Sequence, residues 1–474
     1  MLRFRAEHSS ISRGATRPSQ LDEQSLPVAI LIAKIAAMEH RKFLIVGNGV
    51  AGVTAAMTLR AREPLAEITM ISGESRYFFS RTALMYALMG HMDLPQLEPY
   101  ERSVWTRQNI QLVHDWVCDI DASRGLVTTR SSRTFAFDRL LLATGSSPRK
   151  PDWPGLSEVK SGLVNFVTQQ DLNQCEQLLP KTRAATVVGG GLIGVELVEC
   201  LAHHKIPVRF LVREPHFYQA ALNKAEAAIV ESHLRHRGVD LQTNETVAKV
   251  AVSATGQVSG IETLSGKRFA CDFLGVTIGV EPAINWLRNV ATPPELGRGI
   301  KVDASFQTSL NSIYAAGDCA ELSVSGAPAF VEQLWYAARR QGEIAAHAML
   351  GDRPNYNRPI FYNSSKFFEI EFTCAGLSHP GPQGREYFSA VPGRPVSVRL
   401  IEQNGLFAGI SLLGSRWRHE LFERWIAERR SVSLVVEHLE QAQFDVEFGR
   451  VPMAAVRRDL AAQIQQIQGQ LAVA

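Results

Sequence analysis

The sequence predicts an α/β fold, with two Rossmann-like dinucleotide-binding domains followed by a C-terminal α+β domain. Three observations carry this prediction. A short apolar, β-branched run ends in a glycine cluster and passes into a helix-like stretch at residues 41–59; the same grammar recurs at 184–203; and the pattern changes from residue 355, where Pro and Asn become frequent. A chain of 474 residues is long enough for about three domains of roughly 100 to 200 residues each. The expected boundaries are an N-terminal extension at 1–40, the first part of the first nucleotide domain at 41–155, the second nucleotide domain at 156–280, the returning part of the first at 281–354, and the C-terminal section at 355–474.

The first unit opens with RKFLIVG at 41–47, continues with an apolar helical pattern from Val50 to Leu59 and closes with EITMIS at 67–72, a β-α-β unit. Between strand and helix lies Gly47-Asn48-Gly49-Val50-Ala51-Gly52, a G-x-G-x-x-G. Its glycines allow a tight turn and a close backbone approach to a pyrophosphate, which then rests on the helix N-terminus and its dipole. Gly47, Gly49, Val50, Ala51 and Gly52 are therefore the expected phosphate cradle. The motif also needs an acid about 20 positions further on, to accept hydrogen bonds from the adenosine ribose. Glu74, just past the second strand, is placed for that role; its alternative is a solvated loop carboxylate.

Residues 110–142 read as a small β-meander returning to a buried strand that runs into Thr144-Gly145. Far downstream, IYAAGDCA at 313–320 is another strand ending, in Gly317-Asp318, where glycine admits a cofactor and the aspartate can accept from a sugar or ribitol hydroxyl. Three strand ends around one ligand imply a long dinucleotide, FAD.

The second cluster, Gly189-Gly190-Gly191-Leu192-Ile193-Gly194, repeats the fingerprint in register, so Gly189, Gly191, Leu192, Ile193 and Gly194 form a second expected cradle. Two copies imply two dinucleotides, one resident and one that exchanges. At the end of the following strand, PVRFLVREP, the place of the ribose-binding acid holds Val212, and Arg213 comes next. A cation there suits a 2′-phosphate and tips the reading toward NADPH; the neighbouring Glu214 weakens it, so NADH stays open. Glu196 is placed to face the nicotinamide and orient its carboxamide; the alternative is a first-turn glutamate favoured by the helix dipole. A second meander follows, with turn signals at Thr255-Gly256 and Ser265-Gly266, and the C-terminal section carries a hairpin signal at Asn404-Gly405.

Composition narrows the partners. A formal charge of +3 gives no argument for nucleic acid. The six cysteines are scattered singly without a C-x-x-C, so neither a metal ribbon, an iron–sulfur cluster nor a secreted disulfide framework is expected, and a cytoplasmic setting is the default. The apolar stretch Leu26 to Met38 is short of the roughly 20 residues a spanning helix needs and contains Lys34. Residues 1–40, rich in Arg and Ser, read as a disordered tail or an artefact of an upstream start, with translation beginning at Met38; a transit peptide is the alternative, against which Glu7, Asp22 and Glu23 count.

The ordered set of Gly47 to Gly52, Glu74, ATG at 143–145, GGGLIGVE at 189–196, IGVEP at 278–282 and AAGDC at 315–319 resembles the FAD-dependent pyridine nucleotide-disulfide oxidoreductase superfamily, over about residues 41–350. Within it the chain looks most like the branch of rubredoxin and ferredoxin reductases and the flavin part of nitrite reductase large subunits. The resemblance implies hydride transfer from NAD(P)H to flavin N5, then electrons onward to a redoxin, quinone, oxygen or a small oxidant. It adds Gly279 to the cofactor-binding set. It also implies Arg81, in Phe79-Ser80-Arg81-Thr82, as an FAD contact, with an exposed ion-pairing arginine as the competing reading. Trp335, in Gln333-Leu334-Trp335, is implied at a helix start facing the pyrimidine end of the flavin, with plain core packing as its alternative. Residues 411–448 resemble the superfamily's C-terminal domain, which often packs at a subunit interface, so a homodimer is the implied assembly.

One departure is decisive. Disulfide reductases carry C-x-x-x-x-C in the first domain, and some relatives a single reactive cysteine near residues 79–85; this chain has Phe-Ser-Arg-Thr-Ala-Leu-Met there, which excludes a thiolate relay. Two other readings remain beside the reductase: a type II NADH:quinone dehydrogenase, and a flavin-bearing redox sensor similar to apoptosis-inducing factors. The polar tail at 456–474 argues against the first, which needs an amphipathic anchor.

Overall fold

A computed structural model describes residues 41–323, 328–444 and 451–473. The extension expected at 1–40 lies outside the described residues. The first unit forms as its apolar pattern dictates: strand β1 (Lys42–Val46) has four consecutive buried residues, as a central parallel strand must, and passes through the glycine cluster into helix α1 (Val50–Arg62). Strands β2 (Glu67–Ser72), β3 (Ile110–His114) and β4 (Arg139–Leu142) extend the sheet, and the distant strand Ile313–Ala315 completes it beside β4. All pairs are parallel, with Val46 between Ile71 and Leu142. Between β3 and β4 the expected meander is a three-stranded antiparallel sheet, Val117–Asp121, Leu126–Thr129 and Thr134–Ala136.

The second unit repeats this plan. Strand β5 (Ala185–Val188), helix α2 (Leu192–His203), β6 (Val208–Val212), helix α3 (Lys224–His236), β7 (Asp240–Thr243) and β8 (Phe273–Val276) form a parallel sheet in the order β7-β6-β5-β8, to which Leu163–Val164 adds an edge. Its meander, Val247–Val252, Val258–Thr263 and Arg268–Ala270, occupies the matching position. A short antiparallel link, Ser146–Pro148 with Val280–Pro282, joins the two units where each parallel sheet ends.

Helix α4 (Trp335–Met349) packs along α1, Gly342 lying where a Cβ would fall 2.2 Å from the Ala51 carbonyl oxygen. The chain then enters an antiparallel sheet of β9 (Tyr362–Phe367), β10 (Ile370–Gly376), β11 (Arg385–Ala390), β12 (Ser397–Gln403) and β13 (Leu406–Leu413), in the order β9-β10-β13-β12-β11. Asn404 and Gly405, at φ +55° and +76°, form the two-residue hairpin between β12 and β13 that their sequence predicts. This sheet shares its apolar core with the second unit: Phe367 and Phe372 pack against Phe217 and Tyr218, and the fully buried Arg399 donates to the buried Glu226 at the start of α3 (Nε to Oε2, 2.8 Å). Among the described residues no helix is long and apolar enough to cross a membrane.

Candidate cofactor and catalytic site

The two glycine fingerprints make the same contacts. Gly47 and Gly189 have φ of +108° and +120°, and a Cβ on either would fall 2.1 and 2.3 Å from the carbonyl oxygens of Ala143 and Thr277, on the neighbouring strand. A Cβ on Gly52 or Gly194 would meet the carbonyl oxygen of Gly47 or Gly189 at 2.1 Å in both cases. The middle glycines, Gly49 and Gly191, differ from these: a Cβ there would meet nothing within 4 Å. Each is an N-cap residue with no side-chain cap, so the first N–H groups of α1 and α2, including those of Val50–Ala51 and Leu192–Ile193, have no side-chain acceptor from the cap. Outer glycines demanded by packing and inner ones facing a void are what two phosphate cradles require.

Three strand ends converge beside the first glycine cluster. Ala143 N–H donates to Val46, Thr144 Oγ1 donates to the Ala283 carbonyl (3.1 Å) and Ser146 Oγ donates to Asp318 Oδ2 (2.9 Å). Gly145, beyond the strand at φ +70°, is another position where a Cβ would meet nothing within 4 Å. Burial holds the Asp318 carboxyl above its usual range, against the pull of Ser146 and Arg81. Asn48, the variable residue of the fingerprint, is buried and bonded to Ser72 and Ser75, which fixes the loop leading to Glu74. Trp335 begins α4, half-buried, behind an N-cap, Leu334, that offers no side-chain cap; just before it, the Gln333 Nε2 is a buried donor without a protein partner among the described residues. An unsatisfied buried donor and an uncapped helix end, two residues apart, are free to serve a bound flavin.

Glu74 and Arg81 hold each other, with Nη1–Oε1 at 2.8 Å and Nη2–Oε2 at 2.6 Å. Glu74 also accepts the Gln169 N–H at 3.0 Å, and Arg81 donates to the Val167 carbonyl. Glu74 lines a cleft of about 280 Å³ whose walls include Tyr77, Arg102 and His114.

At the second cradle, Thr277 Oγ1 donates to the Val188 carbonyl (2.9 Å), bracing β5 against β8 beneath Gly189. Arg213 is exposed and paired with Glu214 (2.9 Å), while Gly279, at φ +109°, lies against Arg149 in the link between the units. Glu196 falls beyond the first turn of α2, which holds no acid, so the dipole reading of this residue is set aside. Burial and the neighbouring Glu199 push its carboxyl up to about 7, with Lys366 pulling the other way. Lys366 comes from β9; its ammonium pairs with Glu199 and lies 5.4 Å from the Tyr86 ring centroid. Sequence reading passed over Glu199 and Lys366 because nothing in a linear pattern brings β9 to α2; it passed over Ser146 although that residue directly follows Thr144-Gly145.

Among the described residues no group of His, Cys, Asp or Glu is arranged to hold a metal. Five of the six cysteines are buried, and burial raises the thiols of Cys175, Cys200, Cys271, Cys319 and Cys374, so they stay protonated at neutral pH.

Fold and site together define a two-dinucleotide oxidoreductase without a thiol relay. Residues 41–342 match the family model of the pyridine nucleotide-disulphide oxidoreductases, and the chain belongs to that family. FAD and NAD(P)H are its cofactors. The rubredoxin-NAD(+) reductase of Pseudomonas putida is 29% identical over 279 residues, 58% of this chain and 71% of that one. The assimilatory nitrate reductase electron transfer subunit of Bacillus subtilis (strain 168) is 27% identical over 60% of this chain, a match that spans only 36% of its own length. Among solved structures, the covalent putidaredoxin reductase–putidaredoxin complex superposes with a TM-score of 0.73 at 22% identity, covering 89% of this chain and 99% of that one. The water-forming NADH oxidase from Lactobacillus brevis, bound to NADH, superposes with 0.75 at 20% identity, covering 91% and 100%.

Proposed function

We propose that this chain is an NAD(P)H:acceptor oxidoreductase whose acceptor is a small redox protein. The observation that carries the reading is the pair of matching cradles, each outer glycine locked by a strand carbonyl and each inner glycine facing open space. FAD, when bound, supplies a group able to take two electrons as hydride and release them onward. The chain's own residues bind and orient: Val50–Ala51 and Gly49 offer N–H groups to its pyrophosphate, Asp318 a carboxylate to its sugar alcohol, Gln333 and the N-terminus of α4 donors and positive potential to its ring. In this reading Glu74 meets the adenosine ribose while Arg81 steadies it, and Gly191 to Gly194 receive the reductant's pyrophosphate. Glu196, when ionised, orients the carboxamide. Arg213, tied to Glu214, gives a 2′-phosphate no free cation, which favours NADH.

A redox protein is supported over a small oxidant by the surface beside α4. Tyr336 is 47% exposed, and Arg339 and Arg340, on the same helix face, are exposed with no described ion-pair partner. Relatives that are reductases of rubredoxin and of dioxygenase ferredoxins point the same way. A cytoplasmic homodimer is the setting that goes with this reading. The test is steady-state turnover with NADH and NADPH against a rubredoxin, a ferredoxin, a quinone and oxygen. Turnover fastest with NADH and a redoxin supports it; indifference to all four acceptors, with a long-lived reduced state, would transfer the protein to the redox sensors.

A further inference from the structure

A buried polar chain runs behind the first cradle and uses none of the residues assigned above except the Gly317-Asp318 turn. Gly317, at φ +81°, donates its N–H to Gln341 Oε1 at 2.9 Å. Gln341 Nε2 donates to Glu332 Oε2 at 3.2 Å, and the same oxygen accepts the Tyr356 hydroxyl at 2.7 Å. Arg358 Nε donates to Glu332 Oε1 at 2.8 Å. Gln341, Glu332 and Tyr356 are 3%, 7% and 2% exposed. Tyr356 is fixed in turn by its N–H to Ala304 and by an edge contact with Phe306 (5.2 Å).

The chemistry of the chain has one solution. An ionised carboxylate accepts only, so Glu332 requires the amino end of the Gln341 amide; that leaves the Gln341 oxygen facing Gly317, whose N–H can only donate. A flipped amide sets donor against donor at Gly317 and acceptor against acceptor at Glu332. The turn that presents Asp318 is therefore held from behind by an amide whose orientation is dictated by a carboxylate one layer deeper. Glu332 also directly precedes Gln333 and the N-terminus of α4, so the same carboxylate braces the Gly317-Asp318 turn through Gln341 and anchors the segment that enters α4.

We propose that Gln341 and Glu332 are positioning residues for the flavin cradle, holding Asp318 and the start of α4 in place from behind. The inference rests on FAD being the ligand of that cradle. The groups facing Gln341 are Glu332 ahead of α4, Asp318 on the turn, and Tyr356 with Arg358 on the segment after α4. In the Gln341→Glu variant an ionised carboxylate would confront Glu332, and the repulsion is relieved as the new acid takes a proton at lower pH.

The experiment is titration of the full-length apoprotein with FAD, followed by flavin fluorescence and the visible band, between pH 5 and 8. Gln341→Met is expected to raise the FAD Kd about tenfold. Relative to wild type at the same pH, Gln341→Glu should raise it further at pH 8 and recover toward the wild-type value at pH 5, so the ratio of the two Kd values falls as pH falls. Tyr356→Phe, which deletes one hydrogen bond to Glu332 and leaves the fold intact, should give a smaller rise of the same sign. Wild-type affinity and an unchanged band in both Gln341 variants, or losses that only follow the fraction of folded protein by circular dichroism, would overturn the proposal. Wild-type apoprotein that takes up no FAD would instead overturn the flavin reading itself.

Discussion

Glu196 is the residue whose charge state matters most near neutral pH. Its carboxyl is raised from 4.5 to about 7 in the folded protein, so ionising it costs the native state. The stability associated with its neutral form is fully present below about pH 4.5 and is lost as pH rises through 7. Glu196→Gln should therefore melt at the wild-type temperature at pH 4 and higher than wild type at pH 8, read by thermal scans at both values. Nicotinamide affinity should move the opposite way: in wild type it strengthens as the carboxylate forms through pH 7, and in Glu196→Gln it is flat. Equal pH dependence of binding in the two proteins would remove Glu196 from the site. The glycines were legible at this scale because each fingerprint position answers to a local steric rule. The partners of Glu196 were not, since Lys366 reaches Glu199 from another sheet and only the tertiary fold sets that approach.

Among the elements, strands and turns were the most readable. EITMIS is the strand Glu67–Ser72, the first two strands of each meander form where alternation and turn residues place them, and Asn404-Gly405 turns the expected hairpin; the third strands, Thr134–Ala136 and Arg268–Ala270, are three residues each and too short for a pattern to mark. These are short-range patterns whose physics is complete within a few residues. Helix α4 shows what is lost: its start at Trp335 was legible by resemblance, but the face it turns outward depends on packing against α1. That face predicts the acceptor. Reversing both charges, Arg339→Glu with Arg340→Glu, should raise the KM for an acidic redoxin by about tenfold or more at low ionic strength, and leave flavin reduction by NADH unchanged. The difference should shrink as salt is added; an unaltered KM would place the docking face elsewhere.

Across the whole molecule, the C-terminal sheet is not a loosely tethered cap. Its aromatic residues complete the second unit's core, and Arg399 joins the two through Glu226, with both side chains fully buried. Burial outweighs the guanidinium and leaves the Glu226 carboxyl raised. Arg399→Met strands that carboxyl and should destabilise the protein by about 3–5 kcal/mol in denaturant unfolding. The loss should be greater at pH 8 than at pH 5, where protonation discharges Glu226, and Glu226→Gln in the same chain should restore part of it. The pairing could not be read from the sequence: Asn223-x-x-Glu226 is a capping box that marks the start of α3, but nothing local brings Arg399, 173 residues further on, to that carboxylate. The central claim is that one cradle holds FAD and the other receives NAD(P)H. Its most direct test is anaerobic stopped-flow absorbance of wild type, Gly49→Val and Gly191→Val mixed with NADH. Both glycines have extended backbones and face open space, so the substitutions fill a cradle and spare the fold. The account predicts a yellow wild type that bleaches fast, a Gly49→Val protein that purifies without flavin, and a Gly191→Val protein that is yellow but bleaches at least about tenfold more slowly. A colourless wild type that cannot be reconstituted with FAD, or bleaching of Gly191→Val at the wild-type rate, would contradict it.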